Sequence, residues 1–292
     1  MGPTVRHLIS LSCSTDDHAM KNHWKPLVPL ALLGLWTSFA PAQVGAAAKK
    51  DRDPEVVKLL KDLNDAVMDK KSARDEAAIN LIDKLLTAAQ AEGANEMLPK
   101  DKEAFVAALG DIFFKAKARE AEHKAIYETT SLALGRLGPA GGKILQRAFD
   151  DDKFSKKEWL ELRGKFLQQM GRTKDEAVIP FLVQRVVRDT NDPILKAAGE
   201  ALGNFDATQG KVRRDICKEM IKRLNEVHNQ ADKGVDPGDA QAKASRDTRA
   251  AILNPWNETL GKLTKQNFRA APEWLHWWNK NKDADWDAKK KG

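Results

Sequence analysis

The amino-acid sequence predicts an all-α fold, an α-α superhelix (solenoid) of antiparallel helix pairs, and three observations predict it. Ala, Leu, Lys and Glu fill long stretches, only 12 Pro and a single Tyr occur, and period-two runs of β-branched residues are hard to find. Apolar residues recur at helical spacing in segment after segment. The middle of the chain also repeats itself, an apolar-Gly pair returning at Leu134-Gly135, Met170-Gly171 and Leu202-Gly203, 36 and then 32 residues apart. At 292 residues, 42% hydrophobic and 31% charged, the chain can bury a sizeable core, which excludes disorder of the whole.

The first 42 residues form a separate leader. Met20 is followed by Lys21 and Lys25, then by the apolar run Leu27 to Ala40, then by Ala40-Pro41-Ala42. A cationic end, a short apolar helix and small residues at the end are the plan of a signal peptide. The run falls short of the ~20 apolar residues a spanning helix needs, and Pro29 interrupts it, so cleavage is expected and not a membrane anchor. Residues 1–19 carry Ser14-Thr15-Asp16-Asp17-His18, which does not suit an export leader, and Met20 is read as the true start. The mature chain is therefore expected in the periplasm or outside the cell. No Cys stands at the end of the apolar run, and of Cys13 and Cys217 only the latter outlasts the leader. An intramolecular disulfide is then impossible, and the helical phase of Cys217 beside Ile216 predicts a buried, inert thiol.

Residues 43–52 read as a flexible segment and 53–253 as a helical repeat domain. Asp53-Pro54 opens its first helix with an acidic N-cap and a proline at the first helical position, and Val56, Leu59, Leu60, Leu63 and Val67 follow in phase. A second stripe holds Ile79, Ile82, Leu85, Leu86 and Ala89 and ends near Gly93; a third holds Phe105, Val106, Leu109, Ile112, Phe113 and Ala116. A fourth runs Ile126, Thr130, Leu134 and Leu137 to the cluster Gly138-Pro139-Ala140-Gly141-Gly142, expected to stop the helix, with Ile144, Leu145 and Phe149 beginning the next. Ser155 and Glu158 have the spacing of a capping box ahead of Trp159, Leu162, Phe166, Leu167 and Met170. Pro180 places the next helix start near Ala177.

The unit from Glu176 through Asp189, then Asp192-Pro193 to Ala201-Leu202-Gly203, is a helix, a short acidic turn and a second, small-residue helix. It resembles the HEAT repeat (armadillo-like helical repeats), especially the exported bacterial variety labelled phycobilisome-lyase HEAT-like, in its Ala-Leu-Gly ending and its Asp-x-x-Asp-Pro turn; the matching residues are Asp189, Asp192, Pro193, Ala201, Leu202 and Gly203. The resemblance covers about residues 120–225 and implies architecture, not a reaction. A two-helix unit has an apolar stripe too wide to cover itself, so neighbours stack. The repeated glycine either lets adjacent units approach closely or supplies a left-handed helix end.

Beyond Leu224 the stretch Asn225 to Arg249 is polar and reads as a helix end, a loop around Gly234, Pro237 and Gly238, and a re-entry. Asn254-Pro255 is read as the start of a further helix, giving a Trp-rich cap over 254–282 and a charged tail over 283–292. Five of the eight tryptophans lie here: Trp256, Trp274, Trp277, Trp278 and Trp286. Trp274, Trp277 and Trp278, at i, i+3 and i+4, could stack on a sugar, a peptide or a cation; with Leu260 and Leu275 nearby they also describe a plug for the open end of the stack, the favoured reading. This segment, too, resembles the carboxy-terminal region of exported bacterial HEAT-like proteins.

Catalytic chemistry finds little support, and neither a cofactor nor a metal is expected. His123, His228 and His276 have no paired ligand spacing, Asp150-Asp151-Asp152 lacks the alternating oxygens and turn glycine of a calcium loop, and no nucleophile elbow or phosphate loop occurs. Gly138 to Lys143 follows a helix where a phosphate cradle requires a strand. Net charge is +7, and apart from Lys289-Lys290-Lys291 the basic residues interleave with acids, which suits a solvated surface better than a nucleic-acid groove. The expected function is a non-enzymatic scaffold that engages a protein partner through one face, with Arg136, Lys196, Glu200 and Lys222 as candidates. The alternative is a carbohydrate- or envelope-binding module built on the tryptophans, for which polysaccharide or anionic lipid is the fitting partner. An enzyme with active residues in loops such as 232–240 is the least favoured reading.

Overall fold

The computed structural model describes residues 52–69, 71–233 and 239–287. The leader with Met20, Cys13, most of the 43–52 segment, residues 234–238 of the expected loop and Lys289-Lys290-Lys291 lie outside the described residues. Those described are all-α. Eleven α-helices and no strand occur among them: α1 Pro54–Val67, α2 Asp75–Ala89, α3 Pro99–Phe114, α4 Ala125–Arg136, α5 Pro139–Phe149, α6 Leu160–Arg172, α7 Ile179–Arg188, α8 Asp192–Leu202, α9 Gly210–Lys233, α10 Ala240–Thr264 and α11 Ala271–Asn281. None of these helices is long and apolar enough to cross a membrane.

The helices pack in two rows. In one, α2 lies on α4, α4 on α6, α6 on α8 and α8 on α10; in the other, α1 lies on α3, α3 on α5, α7 on α9 and α9 on α11, while α1–α2, α3–α4, α5–α6, α7–α8 and α9–α10 join the rows. One continuous apolar core runs between them, from Leu63 and Ile82 through Phe113, Phe166 and Leu195 to Trp256 and Trp274.

The repeated glycine explains how the even row closes up. A methyl group at Gly135 on α4 would lie 2.6 Å from the Gln169 side chain on α6, and one at Gly171 on α6 would lie 2.5 Å from the Ala201 carbonyl oxygen on α8. Gly203, at the end of α8, sits in the same way against Thr259 of α10. Of the two roles open to these glycines, close approach is the one observed. Gly203 is right-handed, with φ −64°, and neither Gly135 nor Gly171 has positive φ.

Several local expectations hold and several do not. Asp53 caps α1, its carboxylate accepting from the Glu55 amide at 2.9 Å, with Pro54 in the first turn. Pro180 and Pro193 likewise stand in the first turns of α7 and α8. The glycine cluster is not one break: Gly138, at φ +74°, makes the turn, and Gly141 and Gly142 are already inside α5. Gly141 is held there by proximity, since a methyl group would fall 2.0 Å from the Leu134 carbonyl oxygen. Ser155 does not form a capping box with Glu158; its hydroxyl donates backward to the Asp152 carbonyl, and Asp151 caps the turn instead by accepting from the Lys153 amide.

The largest correction concerns Asn254-Pro255. Asn225 to Lys233 continue α9, and α10 runs unbroken through Asn254-Pro255, so the boundary placed at residue 254 falls within a helix. Proline inside a helix removes a hydrogen bond and costs roughly 3 kcal/mol or more. Here one buried stripe spans it, with Ile252, Trp256, Leu260 and Leu263 all at 0% exposure, and that burial outweighs the lost bond. Asn225 to Lys233 and Ala240 to Arg249, read as a helix end and a re-entry, are polar because α9 and α10 bury only a narrow stripe there, Leu224, Val227, Ala231 and Ala242.

Candidate functional site

The tryptophan-rich end divides into an inner and an outer layer. Trp256, from α10, is wholly buried; its indole N–H donates to the Leu195 carbonyl of α8 at 3.2 Å, and its ring fills the notch left by Gly199, where a methyl group would lie 2.0 Å from Nε1. Trp274, from α11, is also at 0% exposure; it donates to Asn257 Oδ1 at 2.8 Å and meets Phe268 edge to face at 4.9 Å. A ring so enclosed cannot stack on a ligand, which removes Trp274 from the binding candidates and makes it core. Leu275, the neighbour expected to join that core, is instead 39% exposed.

Trp277 and Trp278 are half-buried and both pack against Trp286, at 5.5 and 6.1 Å between ring centres. Trp286 and Asp287 are tied down beside them. Trp286 donates to the Asn281 carbonyl at 3.0 Å. The Asp287 carboxylate accepts the Gly210 amide at the start of α9, at 2.7 Å, and the Arg213 guanidinium at 2.9 Å. The Gly210 amide holds the Asp287 carboxyl below its usual range, with Arg213 adding to it. Arg213, Leu263, Gln266, Trp277, Asn281 and Trp286 line a cavity of about 530 Å³. Trp277 and Trp278 therefore keep accessible faces, and Trp286 joins them.

The four charged candidates do not share one face. Arg136 on α4 is exposed, as is Lys196 on α8, and Lys196 lies 3.9 Å from Glu200 one turn on. Glu200 also accepts from Gln168 of α6 at 2.7 Å, so these residues belong to the even row. Lys222 is exposed on α9, in the odd row. The even row carries further cross-helix pairs that the sequence reading missed: Glu128 of α4 meets Lys165 of α6 at 2.8 Å, and Lys124 reaches Glu161 at 3.4 Å.

Another missed feature is the Arg119 clasp. Its guanidinium donates to both oxygens of Asp75, at 2.7 and 3.1 Å, to the Val67 carbonyl at 3.0 Å and to the Lys117 carbonyl. Its own amide donates to the Tyr127 hydroxyl at 3.0 Å. Asp75 stands 44 residues away, and no periodicity announces a partner at that distance.

Reactive groups are few. Cys217 is fully buried, as its helical phase predicts, and burial pushes its thiol well above the ordinary range, Arg213 opposing only in part; a thiolate nucleophile is thereby disfavoured. His123 precedes α4, while His228 and His276 stand on α9 and α11. Among the described residues no group of three or more His, Cys, Asp or Glu could hold a metal ion. No protein-family model, curated protein or solved structure matches the chain.

Proposed function

We propose that this chain is an exported, non-catalytic binding scaffold, a HEAT-like solenoid that engages a protein partner through the exposed side of its even row. The observation that carries the reading is the glycine register: Gly135, Gly171 and Gly203 each admit the next helix of the row at close range, which is how stacked two-helix units seal one another. Such a stack presents polar side chains along successive helices of the row, here exposed Arg136 on α4, half-buried Lys165 on α6 and exposed Lys196 on α8, and an extended row suits a macromolecule better than a small substrate. Export rests on the Met20 to Ala42 pattern, and a mature amino terminus at or near Gln43 tests it by mass spectrometry.

The scaffold reading is tested by affinity purification from an extract of the source cell's envelope, with an Arg136→Glu/Lys196→Glu chain as control. One protein that co-purifies reproducibly with the natural chain and is lost with the control supports it. Equal recovery by both chains refutes the assigned face. A second reading is favoured by the half-buried rings of Trp277 and Trp286 that line the 530 Å³ cavity, with Trp278 packed on Trp286: a polysaccharide stacks there. Loss of glycan binding in a Trp277→Ala chain that stays folded would support it.

A further inference from the structure

Arginines roof the phenylalanines where α5, α6 and α7 meet. The guanidinium carbon of Arg163, from α6, lies 4.1 Å from the centre of the Phe149 ring of α5, and that of Arg185, from α7, lies 5.7 Å from the same ring and 5.0 Å from Phe181. Phe149 and Phe181 meet edge to face at 5.4 Å. Two cations therefore lie near one aromatic ring, and each raises the cost of the other. Neither guanidinium has a carboxylate within ion-pair distance among the described residues, and the Nε of each is buried with no hydrogen-bond partner. Burial weakens the hold of Arg163 on its proton, Asp189 and Asp150 opposing from a distance and Arg185 adding to the effect.

Covering Phe149 does not account for this arrangement. An arginine stem can shield an aromatic ring, but a leucine or methionine would do so without two unpaired, mutually repelling charges. A buried donor left unsatisfied costs about 1–3 kcal/mol, and here two are left. What the pair offers is recognition. A guanidinium presents its N–H donors in a flat fork that matches a carboxylate, and packing over Phe149 and Phe181 restricts each side chain before any ligand arrives, which lowers the ordering cost of binding. Both arginines are only half-buried, so the covered Nε atoms leave part of each residue open to solvent.

We propose that Arg163 and Arg185 form a docking site for the carboxylates of an acidic peptide segment in a partner protein. Charge complementarity selects this occupant. Asp150 and Asp189, close enough to act on Arg163 without pairing with it, temper the positive field, which disfavours a densely charged polyanion such as nucleic acid and suits a few carboxylates met one by one. The surface differs from the one tested through Arg136 and Lys196, so each assignment fails or survives separately.

The test uses the full chain and labelled hexaglutamate as probe, with binding followed by fluorescence anisotropy at low salt. Arg163→Gln and Arg185→Gln are each expected to weaken binding about tenfold or more, the loss of one charge-assisted hydrogen-bonding group. The control is Arg147→Gln, since Arg147 also stacks on a ring, 4.0 Å over Phe114, but stands alone; it should leave affinity within about twofold, the change expected from net charge alone. Phenylglyoxal footprinting of the natural chain needs no variant to fold: hexaglutamate should protect Arg163 and Arg185 and leave Arg147 reactive. Failure of the natural chain to bind, equal loss in all three variants, or equal protection of all three arginines overturns the proposal. So does inorganic phosphate that binds the pair more tightly than the peptide, which would make it a free-oxyanion site.

Discussion

The first and last described helices are fastened by opposite means. At the amino-terminal side the fastening is ionic: the Asp101 carboxylate of α3, with no exposed side-chain surface, accepts from Arg52 Nε at 2.7 Å and from the Asp53 amide at 2.8 Å, while Arg119 holds Asp75 of α2. At the carboxy-terminal side it is aromatic: Trp256 and Trp274 fill the core, and Trp277, Trp278 and Trp286 cover it. A helix at the edge of a stack has no neighbour for its apolar stripe. A buried ion pair fixes geometry but recovers little net energy after desolvation, whereas a buried indole contributes in proportion to the apolar surface it removes from water. The carboxy-terminal end should therefore hold more of the stability, and the amino-terminal end more of the sensitivity to losing a single partner.

Five single substitutions and one double change test that contrast. Trp256→Ala should cost about 3–5 kcal/mol in denaturant unfolding, the range for truncating a large buried aromatic, with Trp274→Ala close behind; a loss under about 1 kcal/mol would mean the rings are not core. Arg119→Met should destabilise by roughly 3 kcal/mol because Asp75 is left half-enclosed and unpaired. The double change Arg119→Met/Asp75→Leu should recover most of it, and a double variant as weak as the single would show that the pair stabilises in its own right. Gly171→Ala should cost about 1–3 kcal/mol by overpacking, because its methyl group meets Ala201 backbone and not a side chain that can swing away; a neutral outcome would argue against close approach in the even row. Trp278→Ala should cost about 1 kcal/mol, since its ring is only partly removed from water.

The smallest effect is a pH step at the carboxy-terminal end. Bonds to backbone amides lower the carboxyl pKa of Asp287, through Gly210, and of Glu273, through Arg269 and Ala270. A depressed folded-state value stabilises the docked tail above the unfolded carboxylate range and loses that contribution as pH falls through the folded value. Acid should thus loosen Trp286 first, seen as a change in tryptophan emission that precedes global unfolding. Asp287→Asn should abolish the step.

Much of the backbone was legible. Asp53-Pro54 and Asp192-Pro193 announce helix starts because capping and proline geometry are local, whereas the apolar-Gly pairs left close approach and a left-handed helix end both open, and the packing of the even row decides for the first. Pro255 was misread for the same reason in reverse: its local preference ends a helix, and only the buried run from Ile252 to Leu263, packed on α8 and α9, overrides it. The tryptophans show the limit for the candidate site. Helical spacing places Trp274, Trp277 and Trp278 near one another, yet whether a ring faces core or solvent depends on Phe268 and Asn257 arriving from before α11.

Periodicity and backbone groups a few residues apart were enough for the all-α character, the helix starts at Pro54 and Asp192 and the spacing of the apolar-Gly pairs. Only the tertiary structure decided which charges meet. Arg119 finds Asp75, Asp287 finds Gly210, and Arg163 and Arg185 find one ring and no carboxylate. Charged side chains carry no period that points to a distant partner, and their pairing is set by the stacking of helices whose apolar stripes fixed the fold first.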